Sequence, residues 1–186
     1  MTTAQLAQAL GVSEGNLWYH FRTKRDLVVA LFEQLEQRTD ETLSKPPPPG
    51  ATLVDFAGFT RQSLATNWEY RFLFRDRISF FREDAELLRR SRALVRRGQR
   101  GTEQLLTRMV EQGLLRVEPE ALAPLALNVW MVTHYWVDLL QLGGEPESLP
   151  ERHLRTGLEQ VGALLRPHLS EAARREADAL AASSRS

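Results

Sequence analysis

Residues 11–27 read GVSEGNLWYHFRTKRDL, and four rings stand side by side within them, at Trp18, Tyr19, His20 and Phe21. A helix turns about 100° per residue, so one core face cannot receive four consecutive rings. With Leu17 set at 0°, Phe21 falls at about 40° and His20 at about 300°, on the inner side. Trp18 falls near 100° and Tyr19 near 200°, turned outward together with Gly15 at about 160°. Leu17 and Phe21 then face Leu6, Leu10 and Val12 of the preceding segment.

The flanking residues supply the punctuation. Thr2 or Thr3 caps a short helix that runs to Leu10, Gly11 stops it, and Ser13 caps a second helix through about Phe21, which Arg22 and Thr23 break. Two short helices joined through Gly11 and Val12 have the helix-turn-helix pattern, whose second helix enters the major groove. There a Tyr19 hydroxyl can bond a phosphate, and an aromatic face can pack on sugar or on a thymine methyl. Gly15 leaves room for close backbone approach. Lys24 begins the next helix and can pair with a phosphate near that helix's N-terminal N–H groups. Alternatively, Trp18 and Tyr19 pack on a neighbouring domain; periodicity alone leaves both open.

Apolar residues recur at helical spacing almost throughout, and Val/Ile/Thr-rich alternation is nearly absent, which predicts an all-α fold. A long helix after Thr23 carries Leu27, Ala30, Leu31, Leu35 and Leu43 on its inner stripe. KPPPPG (45–50) ends it and marks a boundary or stiff linker between units 1–45 and 51–182. Further helices are predicted near 52–70, 72–82, 84–115, 119–142, 150–167 and 170–182. Gly143, Gly144, Pro146 and Pro150 mark a loop, and Pro167 separates the last two helices.

Composition sets the outer limits. The 186 residues include no cysteine, which excludes a disulfide framework and a thiolate metal site. No His/Asp/Glu cluster has metal spacing, and no glycine-rich phosphate loop or Ser-His-Asp arrangement is present, so neither metal, cofactor nor enzyme activity is expected. No apolar run approaches a membrane span and no signal peptide opens the chain, so a soluble cytoplasmic protein is expected. Net charge is zero, from 24 basic and 24 acidic residues. The distribution is uneven, however: residues 71–116 are basic and the stretch after 117 is acidic. A DNA reader needs positive charge only at its contact face. The arginines of LLRRSRALVRRGQR (87–100) read either as an anion-binding patch or as a solvated face paired with Glu83, Glu86 and Glu103, the latter being favoured.

The stretch TTAQLAQALGVSEGNLWYHFRTKRDLVVALF (2–32) resembles the DNA-binding segment of the TetR family of bacterial transcriptional regulators. The match is carried by the threonine-capped first helix, Leu6-Ala7, Gly11-Val12-Ser13, Gly15, Leu17, the aromatic pair before His20-Phe21, and Lys24 with Leu27. The resemblance implies recognition-helix contacts from Glu14, Gly15, Asn16, Trp18 and Tyr19, and phosphate contacts from Thr3, Tyr19, His20 and Lys24. Trp18 stands where tyrosine is usual. TetR-like proteins have one more helix before this motif, whereas Met1 here stands almost on top of the first helix. The start is therefore expected to be assigned too late; a trimmed chain or a form impaired in DNA binding, leaving a helical dimerisation and ligand-binding module, are the alternatives.

NWEYRFLFRD (67–76) and LEQVGALLRPHLS (158–170) resemble the helical regulatory domain of the same family. That implies a homodimer on a near-palindromic double-stranded operator, an unidentified small-molecule effector that lowers operator affinity, and repression. LAPLALNVWMVTHYWVDLLQL (122–142) is apolar on nearly every face. With Leu154, Leu158, Val161 and Leu165 of the later helix, it can form a four-helix dimer interface. A pocket is expected among Phe56, Phe59, Trp68, Phe72 and Phe74, with Phe80 and Phe81, and Trp130, Met131, His134 and Tyr135 from the apolar helix. His134 itself reads as a satisfied core histidine rather than a metal group.

Overall fold

Thr23 caps the start of a long helix. Its Oγ1 accepts the Asp26 N–H at 3.1 Å, and the Asp26 carboxylate accepts the Thr23 N–H at 3.0 Å, a reciprocal cap that fixes where the longest N-terminal helix begins. The computed structural model describes residues 13–75, 84–142 and 151–183, apart from the side chains of Glu14, Leu17, Trp18, Phe74, Arg75 and residues 141–142 and 181–183. The order is α1 (Glu14–His20), α2 (Lys24–Leu43), α3 (Leu53–Glu69), α4 (Arg71–Arg75), α5 (Ala85–Glu111), α6 (Pro119–Leu142), α7 (Glu151–Leu165), a 3-10 turn (Arg166–His168) and α8 (Glu171–Ser183). The fold is all-α; among the described residues the one β element is an isolated bridge, Leu115 to Leu169. The expected first helix at 2–10, the far part of the 72–82 helix and the loop at 143–150 lie outside the described residues.

The remaining boundaries follow the same capping chemistry. Asp55 reaches back to the Thr52 N–H at 2.8 Å and its hydroxyl at 2.9 Å, and Asp84 accepts the Glu86 and Leu87 N–H groups at 3.1 and 3.0 Å. Helix α5 ends at Glu111, short of the predicted 115. Gly113 takes φ +71°, and the Leu114 N–H returns to the Met109 carbonyl at 2.9 Å, a glycine stop that closes the helix. Leu114 to Arg116 then pair with the turn after α7, through Arg116 N–H to His168 O at 2.7 Å and Ser170 N–H to Leu114 O at 2.9 Å. The proline run lies on the body: Pro47 is buried, and Gln112 donates to the Pro48 carbonyl at 3.2 Å.

Helix α2 buries Leu27, Val28, Leu31, Phe32 and Leu35 against Tyr70, Leu73, Leu87 and Leu94. Ala30 and Leu43, expected on the same stripe, are only half-buried, because Val28 and Phe32 take the deeper positions. A second cluster joins Leu105, Leu106 and Met109 of α5 to Leu125, Ala126 and Val129 of α6, with Phe56 of α3 and Val161 of α7. Helix α6 is the hub, packed on α5, α3 and α7. Its Trp136 donates to the His153 carbonyl at 3.1 Å. Gly157 admits this crossing, since a Cβ there would stand 3.0 Å from Trp136 Nε1 and 3.1 Å from Leu64 Cδ1. Among the described residues, no helix is long and apolar enough to cross a membrane.

Four carboxylates in these joints are held below their ordinary pKa: Asp84 by the Leu87 N–H and then Arg25, Asp55 by Thr52, Glu86 by Arg89, and Glu151 by Arg61. A depressed folded-state pKa contributes stability that is complete above the unfolded value and lost as pH falls through the folded one. Urea midpoints should therefore hold between about pH 7 and 5 and fall below about pH 4. Asp84→Asn should lower the neutral-pH midpoint and flatten the acid fall; an unchanged acid profile would show that Asp84 contributes nothing to it.

Candidate nucleic-acid interface and internal cavity

Helix α1 is capped as its sequence implies, by Ser13 Oγ accepting the Asn16 N–H at 3.2 Å. Gly15, Asn16, Tyr19 and His20 are exposed and share one side of the helix, at i, i+1, i+4 and i+5. Tyr19 is 84% exposed, its ring edge-on to His20 with centroids 5.1 Å apart. The inward position expected for His20 is corrected here. The helix ends at His20, the chain turns, and Phe21 packs against the α2 cluster, leaving the imidazole outside. Among the described residues, a Cβ at Gly15 would meet nothing within 4 Å, so no described neighbour requires glycine there. Thr3 and the side chains of Glu14 and Trp18 lie outside the described residues.

Basic groups continue this face onto α2 and then divide. Lys24 is half-buried at the first turn and Arg22 is exposed. Arg25 is committed to Asp84 at 2.7 Å, which fastens the start of α2 to the start of α5. The arginine run on α5 likewise splits. Arg89 pairs with Glu86 at 2.6 Å, as expected. Arg90 and Arg97 instead cross to α2: Arg90 to Glu36 at 2.6 Å and Glu33 at 3.4 Å, Arg97 to Glu36 at 3.4 Å. Arg97 Nε also stands 3.1 Å from Asp40 Oδ1, an ion pair whose angle falls short of a hydrogen bond. Arg92, Arg96 and Arg100 are exposed.

Between α2, α3, α5 and α6 lies a cavity of about 100 Å³. Phe59, Trp130 and His134, three of the expected rings, line it. The Trp130 and His134 rings stack at 4.7 Å and 14°, so the imidazole serves as part of an aromatic wall. Other expected pocket residues belong elsewhere. Phe56 sits in the α5–α6 core, and Phe72 packs on the α2 cluster. Trp68 joins Val137 and Leu140, beneath the Arg71 guanidinium at 4.3 Å. Met131 and Tyr135 are exposed, because each follows a cavity-lining residue by one position, a turn of about 100°. The Phe74 side chain, Phe80 and Phe81 lie outside the described residues.

The cavity also holds residues that aromatic content did not reveal. Thr39 and Thr42 of α2, Ser63 of α3, Thr102 of α5 and Thr133 of α6 all face it. Their sequence signal is a hydroxyl on an otherwise apolar helical stripe. Gly98 is a second cue: a Cβ there would stand 2.8 Å from Trp130 Nε1, so only glycine lets the indole lie against α5.

The face expected to be free for a partner is also redistributed. Val161 is buried in the chain's own core, and Leu165 packs against that core. Leu127, Met131, Tyr135 and Leu139 of α6 are exposed instead, Leu139 at 60%.

Comparison with known proteins follows the same outline. The TetR family model described as "Bacterial transcriptional repressor" matches residues 34–177, and the one described as "Bacterial regulatory proteins, tetR family" matches residues 1–31. The chain is similar to the crystal structure of a TetR-family transcriptional regulator from Marinobacter aquaeolei, with 28% identity and a TM-score of 0.78 over 97% of this chain and 86% of that one. It shares the fold of the TetR-family regulator PfmR from Thermus thermophilus, with 20% identity and a TM-score of 0.51 over 89% of this chain and 88% of that one. No curated protein matches it at a significant level.

The two glycines make opposite predictions. Gly98→Val forces a side chain into Trp130 and should cost about 1–3 kcal/mol in denaturant unfolding, as overpacking does. Gly15→Ala meets open space inside a helix and should raise stability by about 0.5–1 kcal/mol. Equal effects of the two would show that at least one of these environments is not as described.

Proposed function

The chain belongs to the TetR family of bacterial transcriptional regulators, and from that premise we propose that it is a cytoplasmic, ligand-responsive repressor that grips a near-palindromic operator as a homodimer. Residues 1–45 form the DNA-reading unit with its connecting helix, and 51–182 the regulatory and dimerisation unit. Glu14, Gly15, Asn16, Trp18 and Tyr19 meet the major groove, while Thr3, Tyr19, His20 and Lys24 meet phosphates.

The observation that carries this reading is the outward side of α1. A tyrosine exposed at 84% beside a glycine that no described neighbour requires is a poor use of sequence for a helix facing only water. It suits a helix laid against a backbone of phosphates. Dimerisation is supported by the α6 ridge. Leu127, Met131, Tyr135 and Leu139 recur every four residues, so their exposed surfaces form one continuous apolar line. Two copies related by a two-fold axis would cover it and would set two readers at a fixed spacing. Ligand response is supported by α2, which begins at Lys24 beside the DNA face and lends Phe32, Leu35, Thr39 and Leu43 to the cavity wall.

Fluorescence anisotropy on DNA upstream of the protein's own gene tests the reading. Tyr19→Ala should weaken specific binding at least tenfold with unchanged helical circular dichroism, and Lys24→Ala should reduce the salt slope by about one. Parental affinity in Tyr19→Ala would overturn the contact assignment. In sedimentation, the parent should be a dimer and Met131→Glu/Leu139→Glu a folded monomer; a monomeric parent would refute the α6 interface.

A further inference from the structure

The walls of the cavity between α2, α3, α5 and α6 define the chemistry of what can fill it. Among its described lining residues none is Asp, Glu, Lys or Arg, and His134 is the one titratable side chain. An ion entering this space would lose its hydration without gaining a fixed counter-charge, at a cost of several kcal/mol. The occupant is therefore uncharged.

The polar atoms narrow it further. Seven Ser and Thr hydroxyls line the cavity, and five of them already donate their single hydrogen to a carbonyl four residues back in the same helix. Thr39 donates to Leu35 at 2.8 Å, Thr133 to Val129 at 2.9 Å, and Thr42 and Thr102 to their carbonyls at 3.0 Å. Asn67 has likewise spent an N–H on the Thr133 carbonyl at 3.0 Å. A hydroxyl has one hydrogen but two lone pairs, and an amide with one N–H engaged keeps its other N–H and its oxygen. What these groups still offer a guest is chiefly acceptor capacity, so a complementary guest brings O–H or N–H donors.

Shape supplies the last constraint. A dry cavity of roughly 150 Å³ admits one benzene ring. This one, at about 100 Å³, is of that order. Leu43 is the wall able to yield, since it also lines an outer cleft with Asp40, Arg97 and Gly101. The stacked Trp130 and His134 rings give a flat surface for a flat guest.

We infer that the cavity takes a compact, uncharged, one-ring compound carrying a hydrogen-bond donor, of the phenol type. This deepens the ligand-responsive reading and rests on it for its biological meaning, but the binding chemistry can be tested apart from DNA. Calorimetric titrations of the full chain at pH 7 compare phenol, anisole, toluene and benzoate. These hold the ring constant while supplying a donor, an acceptor only, neither, and a negative charge. Phenol should bind at least tenfold tighter than anisole or toluene, and benzoate should give no saturable heat. Thr133→Val keeps the side-chain volume and removes one acceptor; it should weaken phenol about fivefold and leave toluene unchanged. The inference is overturned if benzoate matches phenol, if anisole or toluene matches phenol, or if phenol fails to saturate by about 10 mM. Operator affinity measured with and without saturating phenol separates the two levels. Phenol binding without any change in DNA affinity upholds the ligand class and refutes the response; absent phenol binding beside intact operator binding refutes the ligand class alone.

Discussion

The pairing of α2 with α5 is the constraint on which the rest of the molecule depends. Two kinds of interaction make it, and they differ in size and task. The apolar stripe Leu27, Val28, Leu31, Phe32 and Leu35 is almost wholly removed from water. At about 1.5–3 kcal/mol for each large side chain, it supplies the gross attraction. The ionic ladder is worth less, because Glu33 and Asp40 are largely exposed and such pairs contribute at most about 1 kcal/mol. Its centre is different. Arg90 and Glu36 are each less than a fifth exposed, 2.6 Å apart, with the guanidinium 5.4 Å from the centre of the Phe32 ring. A stripe of similar apolar residues tolerates sliding by a turn; a half-buried pair that costs several kcal/mol when broken does not. The stripe holds the helices together, and the pair sets their register.

That register matters because α2 touches both functional regions. Its first turn stands beside the exposed side of α1, capped by Thr23 and Asp26 and fastened to α5 through Arg25 and Asp84. Its last turns form one wall of the cavity. On α5, Gly98 and Gly101 lie one turn apart and answer this closeness. Any side chain at Gly98 would strike Trp130, and one at Gly101 would run into Leu43. The cavity is thus bounded by residues whose positions depend on how near α2 and α6 come to α5. In the proposed switch, a guest can shift the equilibrium only by the difference in its affinity for two such spacings.

Much of this is legible in the chain because it is written locally. Ser13 acts within a few residues of itself, and the 3.6-residue period of Leu27, Leu31 and Leu35 names the buried side of α2 without knowledge of its partner, whereas the expected 84–115 helix runs past the glycine stop at Gly113. The outward turn of Tyr19 is legible for the same reason. What sequence could not give is which element answers which. Glu86, Glu103 and Glu83 are near neighbours of the arginine run, so they are natural partners on paper, yet Arg90 and Arg97 reach residues 54 to 61 positions away. Pocket residues are only partly legible. Aromatic rings mark apolar burial of any kind: Phe59, Trp130 and His134 line the space, but Phe56, Trp68 and Phe72 fill ordinary core, and aliphatic and hydroxyl residues make up much of the wall. His20 departs from expectation for a smaller reason: a wheel assumes that the helix continues, and this one stops there.

The hydroxyls also set the energetics of such a wall. A polar lining normally demands water or a guest, since an unsatisfied buried donor costs about 1–3 kcal/mol. Here most of the donors are satisfied within their own helices, each by the carbonyl one turn earlier, so these hydroxyls carry little desolvation penalty of their own. The same economy limits what the wall can attract. Apolar burial alone, over one ring, gives modest affinity and little selectivity. Discrimination must come from lone pairs that stay idle until a donor arrives, and these sit on α2, α3, α5 and α6. A donor-bearing guest can therefore bond to α2, α3, α5 or α6 from a single point, whereas a guest of the same size without a donor touches the same helices and prefers no spacing between them.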